Sequence, residues 1–274
     1  MTRLDAALAA AGLARSRSHA QQLIAEGLVR VNGRPAIKPA TAIGDSDALS
    51  VDAAHHYVSR AALKLVHALD AFGIDPAARL ALDAGASTGG FTQVLLERGA
   101  RRVLAIDVGH GQLASEIRAD NRVAVVEGEN VRHLSADRVR QLLAGSGAGV
   151  LEAGAADELP SLVVADLSFI SLTLVLPALR ASASDNADFV LLIKPQFEVG
   201  RTGVREGIVT STDARADAIN AVLWAAWDCG LKTAGLEPSP ILGSHGNQEF
   251  LARFSVSSGR SPTEWRQRVE EVAG

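Results

Sequence analysis

The stretch from Leu82 to Thr92, LDAGASTGGFT, constrains the fold more than any other part of the chain. Apolar residues precede it, and residues 92–98 follow it with the apolar spacing of a helix. This order predicts a strand, a glycine-rich turn and a helix. Glycines at such a turn let the backbone approach a ligand closely, and the helix N-terminus adds partial positive charge. The sequence therefore predicts a ligand site at this turn.

Acidic residues around the turn indicate which ligand it holds. Serine occupies position 87, where the dinucleotide-binding fingerprint has glycine, so a nicotinamide dinucleotide fits imperfectly. Asp83 lies two residues before the first glycine, where a carboxylate suits the ammonium group of S-adenosylmethionine. The next predicted strand ends in Asp107, about twenty residues further on, the usual place to hold a ribose diol. We expect S-adenosylmethionine as cofactor, with contacts from Asp83, Gly85, Ser87, Gly89, Asp107 and, near the adenine, Asn130. The alternative is an ordinary tight turn.

Composition limits the class of protein. A chain of 274 residues is long enough for one large domain and a small one, and 47% hydrophobic with 21% charged residues is a globular composition. The single cysteine, Cys229, excludes an intrachain disulfide and a cysteine-based zinc site. The pair His55 and His56 lacks an evident third ligand, so we expect no metal. Asp5 stands where a signal peptide would be apolar, and we expect a cytoplasmic protein.

Residues 1–54 are predicted to form a separate small domain. Two short helices are expected over 3–13 and 19–26, and Asn32-Gly33 between alternating residues predicts a hairpin over 28–37. Residues 1–40 carry a net charge of +4, whereas the whole chain carries −4. The positive charge is therefore concentrated here, on Arg3, Arg15, Arg17, Arg30, Arg34 and Lys38. The alternative to a binding function is a solvated basic face.

Residues 61–274 alternate between strands and helices, which predicts an α/β domain with a doubly wound sheet. A short linker, 55–60, precedes a helix over 61–72. Seven strands are expected, at 80–84, 102–107, 123–127, 162–166, 188–194, about 232–237 and 249–257. The Gly- and Ala-rich stretch 144–160 predicts a surface loop, and Ser261 to Glu264 forms a capping box before a final helix.

Two ionisable residues end predicted buried strands, Asp166 and Lys194. Charges in such places are costly unless they are partnered, so function or ion pairing is expected. The chain has four lysines against 23 arginines and yet places a lysine at 194. Lysine, unlike arginine, can lose its proton, which suits a group that acts on a hydroxyl. The alternative is a simple salt bridge between the two.

Seven segments together resemble one known family. The N-terminal RLDAALAAAGLARSRSHAQQLIAEGLVRVNGRPAIKP is similar to S4 RNA-binding domains. The segments YVSRAALKL, LDAGASTGGFTQVLLERGA, DVGHGQL, VVADLSFISL, LIKPQFEVGR and GNQEF resemble the hemolysin A-type (TlyA) ribosomal RNA 2′-O-methyltransferases. The resemblance covers nearly the whole chain. The linker HHYV and the long loop 144–160 depart from some relatives, which bears on interdomain coupling and one surface contact.

The resemblance implies a small α+β S4 domain joined to a Rossmann-like methyltransferase domain with a seven-stranded, mostly parallel sheet. The family's catalytic tetrad falls on Lys64, Asp166, Lys194 and Glu249. Lys194 would deprotonate or align a ribose 2′-hydroxyl, Asp166 and Lys64 would orient Lys194, and Glu249 would hold a second lysine or the ribose. Contacts to RNA are expected from Arg3, Arg15, Arg17, Arg30, Arg34, Lys38 and Arg60.

The implied substrate is ribosomal RNA, at cytidines of 23S rRNA and, in some members, also of 16S rRNA. Two alternatives belong to other classes of protein. A membrane-active hemolysin is suggested by the family's historical name, but Asp166 interrupts the most apolar run, residues 161–179. An RNA-binding assembly factor with an inert methyltransferase fold is disfavoured by the tetrad and the glycine turn. The oligomeric state stays open.

Overall fold

The computed structural model describes residues 2–14, 17–25, 27–36, 38–44, 46–51, 56–145, 157–200, 207–243 and 246–274. Arg15, His55 and residues 146–156 of the predicted loop lie outside this part of the chain. The fold divides into two compact units, Met1–His56 and Tyr57–Gly274. The predicted linker, 55–60, spans this division.

The N-terminal unit combines two helices with short strands. Its elements are β1 (Thr2–Arg3), α1 (Leu4–Ala10), α2 (Arg17–Ala25), β2 (Val29–Val31), β3 (Arg34–Pro35), β4 (Ala42–Ile43) and β5 (Leu49–Val51). β2 lies between β3 and β5, and β1 pairs with β4. The predicted hairpin is present, because Asn32 and Gly33 both adopt the positive φ angles, 51° and 77°, that a tight two-residue turn needs. Leu4, Leu8, Leu23 and Ile24 form the centre of its core.

A seven-stranded sheet organises the second unit. Its strands are β6 (Leu80–Ala84), β7 (Arg102–Asp107), β8 (Val123–Glu127), β9 (Leu162–Ala165), β10 (Asp188–Ile193), β11 (Lys232–Pro238) and β12 (Phe250–Ser255). They are ordered β11-β12-β10-β9-β6-β7-β8. The five strands from β10 to β8 are parallel, whereas β12 is antiparallel to both neighbours. The seven predicted strands and the mostly parallel sheet are confirmed.

Helices cover both faces of this sheet. They are α3 (Ala62–Phe72), α4 (Gly90–Glu97), α5 (Ser115–Arg118), α6 (Ala136–Gly145), α7 (Leu176–Ala181), α8 (Pro195–Glu198), α9 (Thr212–Asp228) and α10 (Arg266–Ala273). Short 3-10 helices occupy Val131–His133, Leu172–Leu174 and Pro262–Trp265. Alternate residues of β6 point to opposite faces: Ala81 belongs to the core cluster that includes α3 and α4, and Leu82 belongs to the cluster that includes α7 and α9. This is the predicted doubly wound arrangement.

Candidate active site

The sheet brings three of the four predicted tetrad residues to one edge. Asp166 follows β9 and Lys194 follows β10, and these neighbouring parallel strands end at the same edge. Glu249 precedes β12, whose first residue pairs with Ile193 because β12 runs antiparallel to β10. The start of β12 therefore meets the ends of the parallel strands. Lys64 reaches the same place from the first turn of α3.

The four tetrad side chains form a continuous chain of contacts. Lys194 Nζ lies 2.7 Å from Asp166 Oδ1. Lys64 Nζ lies 3.7 Å from Asp166 Oδ2 and 2.6 Å from Glu249 Oε2. The order of charges is thus alternating, with two cations and two anions. This arrangement orients both ammonium groups and leaves the four-residue cluster without a net charge.

Because these side chains are buried, each charge needs an oppositely charged partner. Lys64, Lys194 and Glu249 are 6%, 8% and 2% exposed, so each charge depends on its neighbours rather than on water. Lys194 Nζ also donates a hydrogen bond of 2.8 Å to Ser168 Oγ. An ammonium group has three donors. An ion pair with Asp166 and a hydrogen bond to Ser168 thus fix the position of the ammonium group, beside the place where a substrate oxygen atom would enter.

The glycine-rich turn lies at the same edge, between β6 and α4. Gly85 and Gly89 have φ angles of 85° and 97°, and Ser87 also takes a left-handed conformation, at 47°. Ser87 therefore adopts the backbone geometry that glycine favours, and its N–H donates to Asp107 Oδ2 at 2.9 Å. A Cβ on Gly85 would lie 2.9 Å from the carbonyl oxygen of Asp166. Glycine at 85 lets the turn lie directly against the segment after β9.

A cavity of about 420 Å³ lies between this turn and the end of β9. That volume is within the range of small-molecule sites. Its lining includes Gly85, Ser87, Asp107, Gly109, Gln112, Glu129, Val131, Asp166, Ser168 and Phe169. The hydrogen bond from Arg138 lowers the pKa of Glu129, so that this wall carries a carboxylate. The wall combines acids that can accept from hydroxyl and amino groups with apolar side chains that can contact a ring.

Asp83 lies beneath the cavity rather than on its wall. The side chain is fully buried and accepts a 2.6 Å hydrogen bond from Thr92 Oγ1, in the first turn of α4. Asp83 points to the same face as Ala81, where α3 and α4 cover the sheet. Its other oxygen, Oδ1, has no hydrogen-bond partner among the described residues. The contact between this carboxylate and the cofactor's ammonium group stays a prediction.

Two other predicted cofactor contacts are absent from the cavity lining given by the described residues. Gly89 packs against Leu113 and Ile117. The Asn130 side chain accepts from the Arg132 N–H at 3.0 Å and caps a 3-10 helix, whereas its neighbours Glu129 and Val131 face the cavity. Sequence reasoning missed these neighbours, and also Ser168 and Phe169. The family segment VVADLSFISL contained the last two, but its spacing gave no role for them.

The predicted RNA-binding residues of the N-terminal unit lie mainly at its surface. Arg3, Arg17, Arg34 and Lys38 are exposed, and Arg30 is half-buried. Arg3 and Arg17 converge on the buried carboxylate of Asp5, at 3.0 and 3.4 Å. Hydrogen bonds from Arg3 and Gln21 hold the pKa of Asp5 well below its usual range. Asp5 thereby fixes where these two guanidinium groups stand.

Arg60 belongs to the second unit. Its Nη2 donates to the carbonyl oxygen of Leu242 at 3.1 Å. In the described part of the chain, no group of three or more His, Cys, Asp or Glu side chains could hold a metal ion. Among the same residues, no helix is both long and apolar enough to cross a membrane.

Comparisons with known proteins agree with this architecture. Residues 57–255 match the model of the FtsJ-like methyltransferase family, and residues 2–49 match the S4 domain. A Mycobacterium tuberculosis relative named 16S/23S rRNA (cytidine-2′-O)-methyltransferase TlyA is 48% identical over 94% of this chain and 91% of its own length. Hemolysin A of Brachyspira hyodysenteriae is 39% identical over 93% of this chain and 100% of its own.

Solved structures add a further match. A chain from Streptococcus thermophilus that carries the hemolysin name is 36% identical, with a TM-score of 0.75 over 99% of this chain and 94% of its own. The likeness therefore extends through both units.

Proposed function

Because this chain belongs to the hemolysin A-type (TlyA) family, with an S4 domain and an FtsJ-like methyltransferase domain, we propose that it methylates ribose 2′-hydroxyls in ribosomal RNA. The target is cytidine, in 23S and also in 16S rRNA, as the name of the 48% identical relative suggests. The observation that carries the proposal is the buried Lys64–Asp166–Lys194–Glu249 cluster beside a cofactor-sized cavity.

S-adenosylmethionine is the proposed cofactor, and when bound it supplies a methyl group already activated by its sulfonium. The cavity fits such a molecule in volume and in chemistry. Asp107 would accept hydrogen bonds from the ribose, Gly85 and Ser87 would lie along the methionine end, and Glu129 would face the adenine side. Asp83, whose Oδ1 has no hydrogen-bond partner among the described residues, would meet the ammonium group of the methionine end.

The protein itself would align the 2′-oxygen with the methyl group. An N–H of Lys194 would hold the 2′-oxygen, or a neutral Lys194 would take its proton. In either case Asp166 and Lys64 fix the direction of Lys194, and Glu249 fixes Lys64. The 2′-oxygen would gain the methyl group as the sulfur–methyl bond breaks, with S-adenosylhomocysteine as the leaving group, and the proton would pass to a neutral Lys194 or to water. Precise alignment of two bound reactants is worth several kcal/mol of the barrier, about 7–11 in the best cases.

Basic residues of the S4 domain would supply affinity for RNA phosphates, separately from the chemistry. The proposed residues are Arg3, Arg15, Arg17, Arg30, Arg34 and Lys38. Arg60 is a weaker candidate, because its guanidinium already donates to Leu242.

Mapping 2′-O-methyl groups on 16S and 23S rRNA from cells with and without the gene tests the proposal directly. We expect methylated cytidines that disappear with the gene and return with the wild-type gene but not with Lys194→Ala. Unchanged methylation in both subunits would contradict it. Calorimetry with S-adenosylmethionine, S-adenosylhomocysteine and NAD should give binding of the first two alone.

A further inference from the structure

The carboxylate of Glu198 lies close to the site but belongs to none of the contacts described so far. Burial raises its pKa. One oxygen accepts from Ser171 Oγ at 2.5 Å, and the other accepts from the Leu172 N–H at 2.8 Å. A carboxylate taken out of water is costly unless such hydrogen bonds compensate it. These bonds connect α8 to the 3-10 helix at Leu172–Leu174.

The two segments that Glu198 connects are the ones that carry Asp166 and Lys194. At one end, Lys194 Nζ contacts Asp166 and Ser168, at 2.7 and 2.8 Å. In the middle, the rings of Phe169 and Phe197 lie 5.3 Å apart. At the other end, Glu198 accepts hydrogen bonds from Ser171 and Leu172. Segments 166–172 and 194–198 are therefore joined at three successive places.

In segment 166–172, Leu167 and Ile170 pack against the hydrophobic core, whereas Phe169 between them does not. Phe169 is 91% exposed and has a φ angle of 64°, an unfavourable conformation for a bulky residue. Such a backbone persists only where its surroundings impose it. The hydrogen bonds at Ser171 and Leu172 fix the end of the segment, just as the ion pair with Lys194 fixes its start.

We propose that Glu198 is a positioning residue for methyl transfer, which holds segment 166–172 against α8 so that Asp166 and Ser168 meet Lys194 correctly. The inference rests on the proposed function. In the described part of the chain, Glu198 contacts neither the cofactor cavity nor the tetrad, so its loss should act through alignment. Small displacements of reacting groups cost up to about 100-fold in rate. We expect Glu198→Ala to lower kcat about tenfold or more.

Binding should change far less than turnover. The KM values for S-adenosylmethionine and for ribosomal subunits should stay within about twofold of wild type in Glu198→Ala. Glu198→Gln should recover most of the rate, because its carbonyl can still accept from Leu172 and the Ser171 hydroxyl can reorient to accept from its amide. A matched control exists in Glu264→Ala. Glu264 also accepts from a backbone N–H and a serine hydroxyl, both of Ser261, but at the opposite edge of the sheet.

The test is steady-state methylation of purified ribosomal subunits by the full-length wild type and these variants, with folding checked by circular dichroism. A tenfold loss of kcat in Glu198→Ala, its recovery in Glu198→Gln and normal kcat in Glu264→Ala would support the proposal. Wild-type kcat in a folded Glu198→Ala, or a loss confined to KM, would overturn it. A wild-type protein without activity on rRNA would instead contradict the proposed function.

If Glu198→Ala does not fold, the variant Ser171→Ala tests the positioning role of Glu198 instead. This variant removes one of the two hydrogen bonds of Glu198, together with the bond that Ser171 Oγ accepts from the Thr173 N–H. We expect it to lower kcat about two- to fivefold with unchanged KM, and a wild-type kcat would overturn the proposal.

Discussion

Lys194 Nζ lies 2.7 Å from Asp166 Oδ1, and both residues are carried just beyond the ends of adjacent parallel strands. The pair is therefore fixed by the sheet itself. A lysine this deeply buried, at 8% exposure, has few conformations available. Its ammonium group therefore has a defined position, which is what a group that aligns a hydroxyl requires.

Replacing Lys194 by Arg should abolish methylation and leave S-adenosylmethionine affinity near wild type. Arginine keeps the charge but has a wide planar group that cannot lose its proton, and it cannot repeat the geometry of an ammonium between Asp166 and Ser168. Single-turnover methylation and calorimetry measure the two quantities. Lys232→Arg, in β11, is the matched control. Near-normal turnover in Lys194→Arg would remove Lys194 from the chemistry.

Replacing Asp107 by Ala should weaken S-adenosylmethionine binding. Hydrogen bonds to the ribose would be lost, and the turn would also lose the acceptor of the Ser87 and Gly109 N–H groups. The cost should be about 1–3 kcal/mol, or roughly five- to 150-fold in Kd. Asp120→Ala, at the other edge of the sheet, should bind normally. An unchanged Kd for Asp107→Ala in calorimetry would show that the ribose is held elsewhere.

Replacing Asp83 by Asn should change how stability depends on pH. Burial raises the pKa of Asp83 from 3.8 to about 7. A carboxyl whose pKa is raised by folding stabilises the fold fully below its unfolded pKa, and this contribution is lost as pH rises through about 7. The difference between the two pKa values corresponds to about 4 kcal/mol at most.

Urea unfolding of the wild type, Asp83→Asn and Asp185→Asn at pH 5 and pH 8 measures this effect. The amide that Asp83→Asn introduces cannot ionise, so this variant should gain stability relative to wild type at pH 8 compared with pH 5. Asp185, whose side chain is 100% exposed, should give no such difference when it is replaced. Equal pH dependence in all three proteins would show that Asp83 does not carry a raised pKa.

Sequence reasoning predicted the strands, the fold class and the residues that strand ends bring together. It succeeded for Asp107, Asp166 and Lys194 because each stands at or just after the end of a strand, where chain position alone determines location. The role of Asp83 stays a prediction, because this residue is one short of the end of β6 and points under α4, where chain position alone does not decide its contacts. Sequence reasoning could not have found Glu198, whose partners Ser171 and Leu172 are 26 or more residues away in the chain.

Changing Arg15 and Arg17 to alanine should weaken RNA binding without affecting S-adenosylmethionine. The side chain of Arg17 is 59% exposed and contacts Asp5 through Nη2, which leaves other N–H groups for a phosphate. If both arginines contact phosphates, the slope of log affinity against log salt concentration should fall by about two, at about 0.7–0.9 for each contact. RNA affinity at several salt concentrations measures the slope.

The matched control is the double variant Arg98→Ala with Arg101→Ala. It removes two arginines of similar exposure, 41% and 43%, from the methyltransferase domain, on the sheet edge opposite the candidate active site. That control should keep the wild-type slope. If the double variant at 15 and 17 keeps it too, the basic surface of the S4 domain does not contact phosphates through these residues.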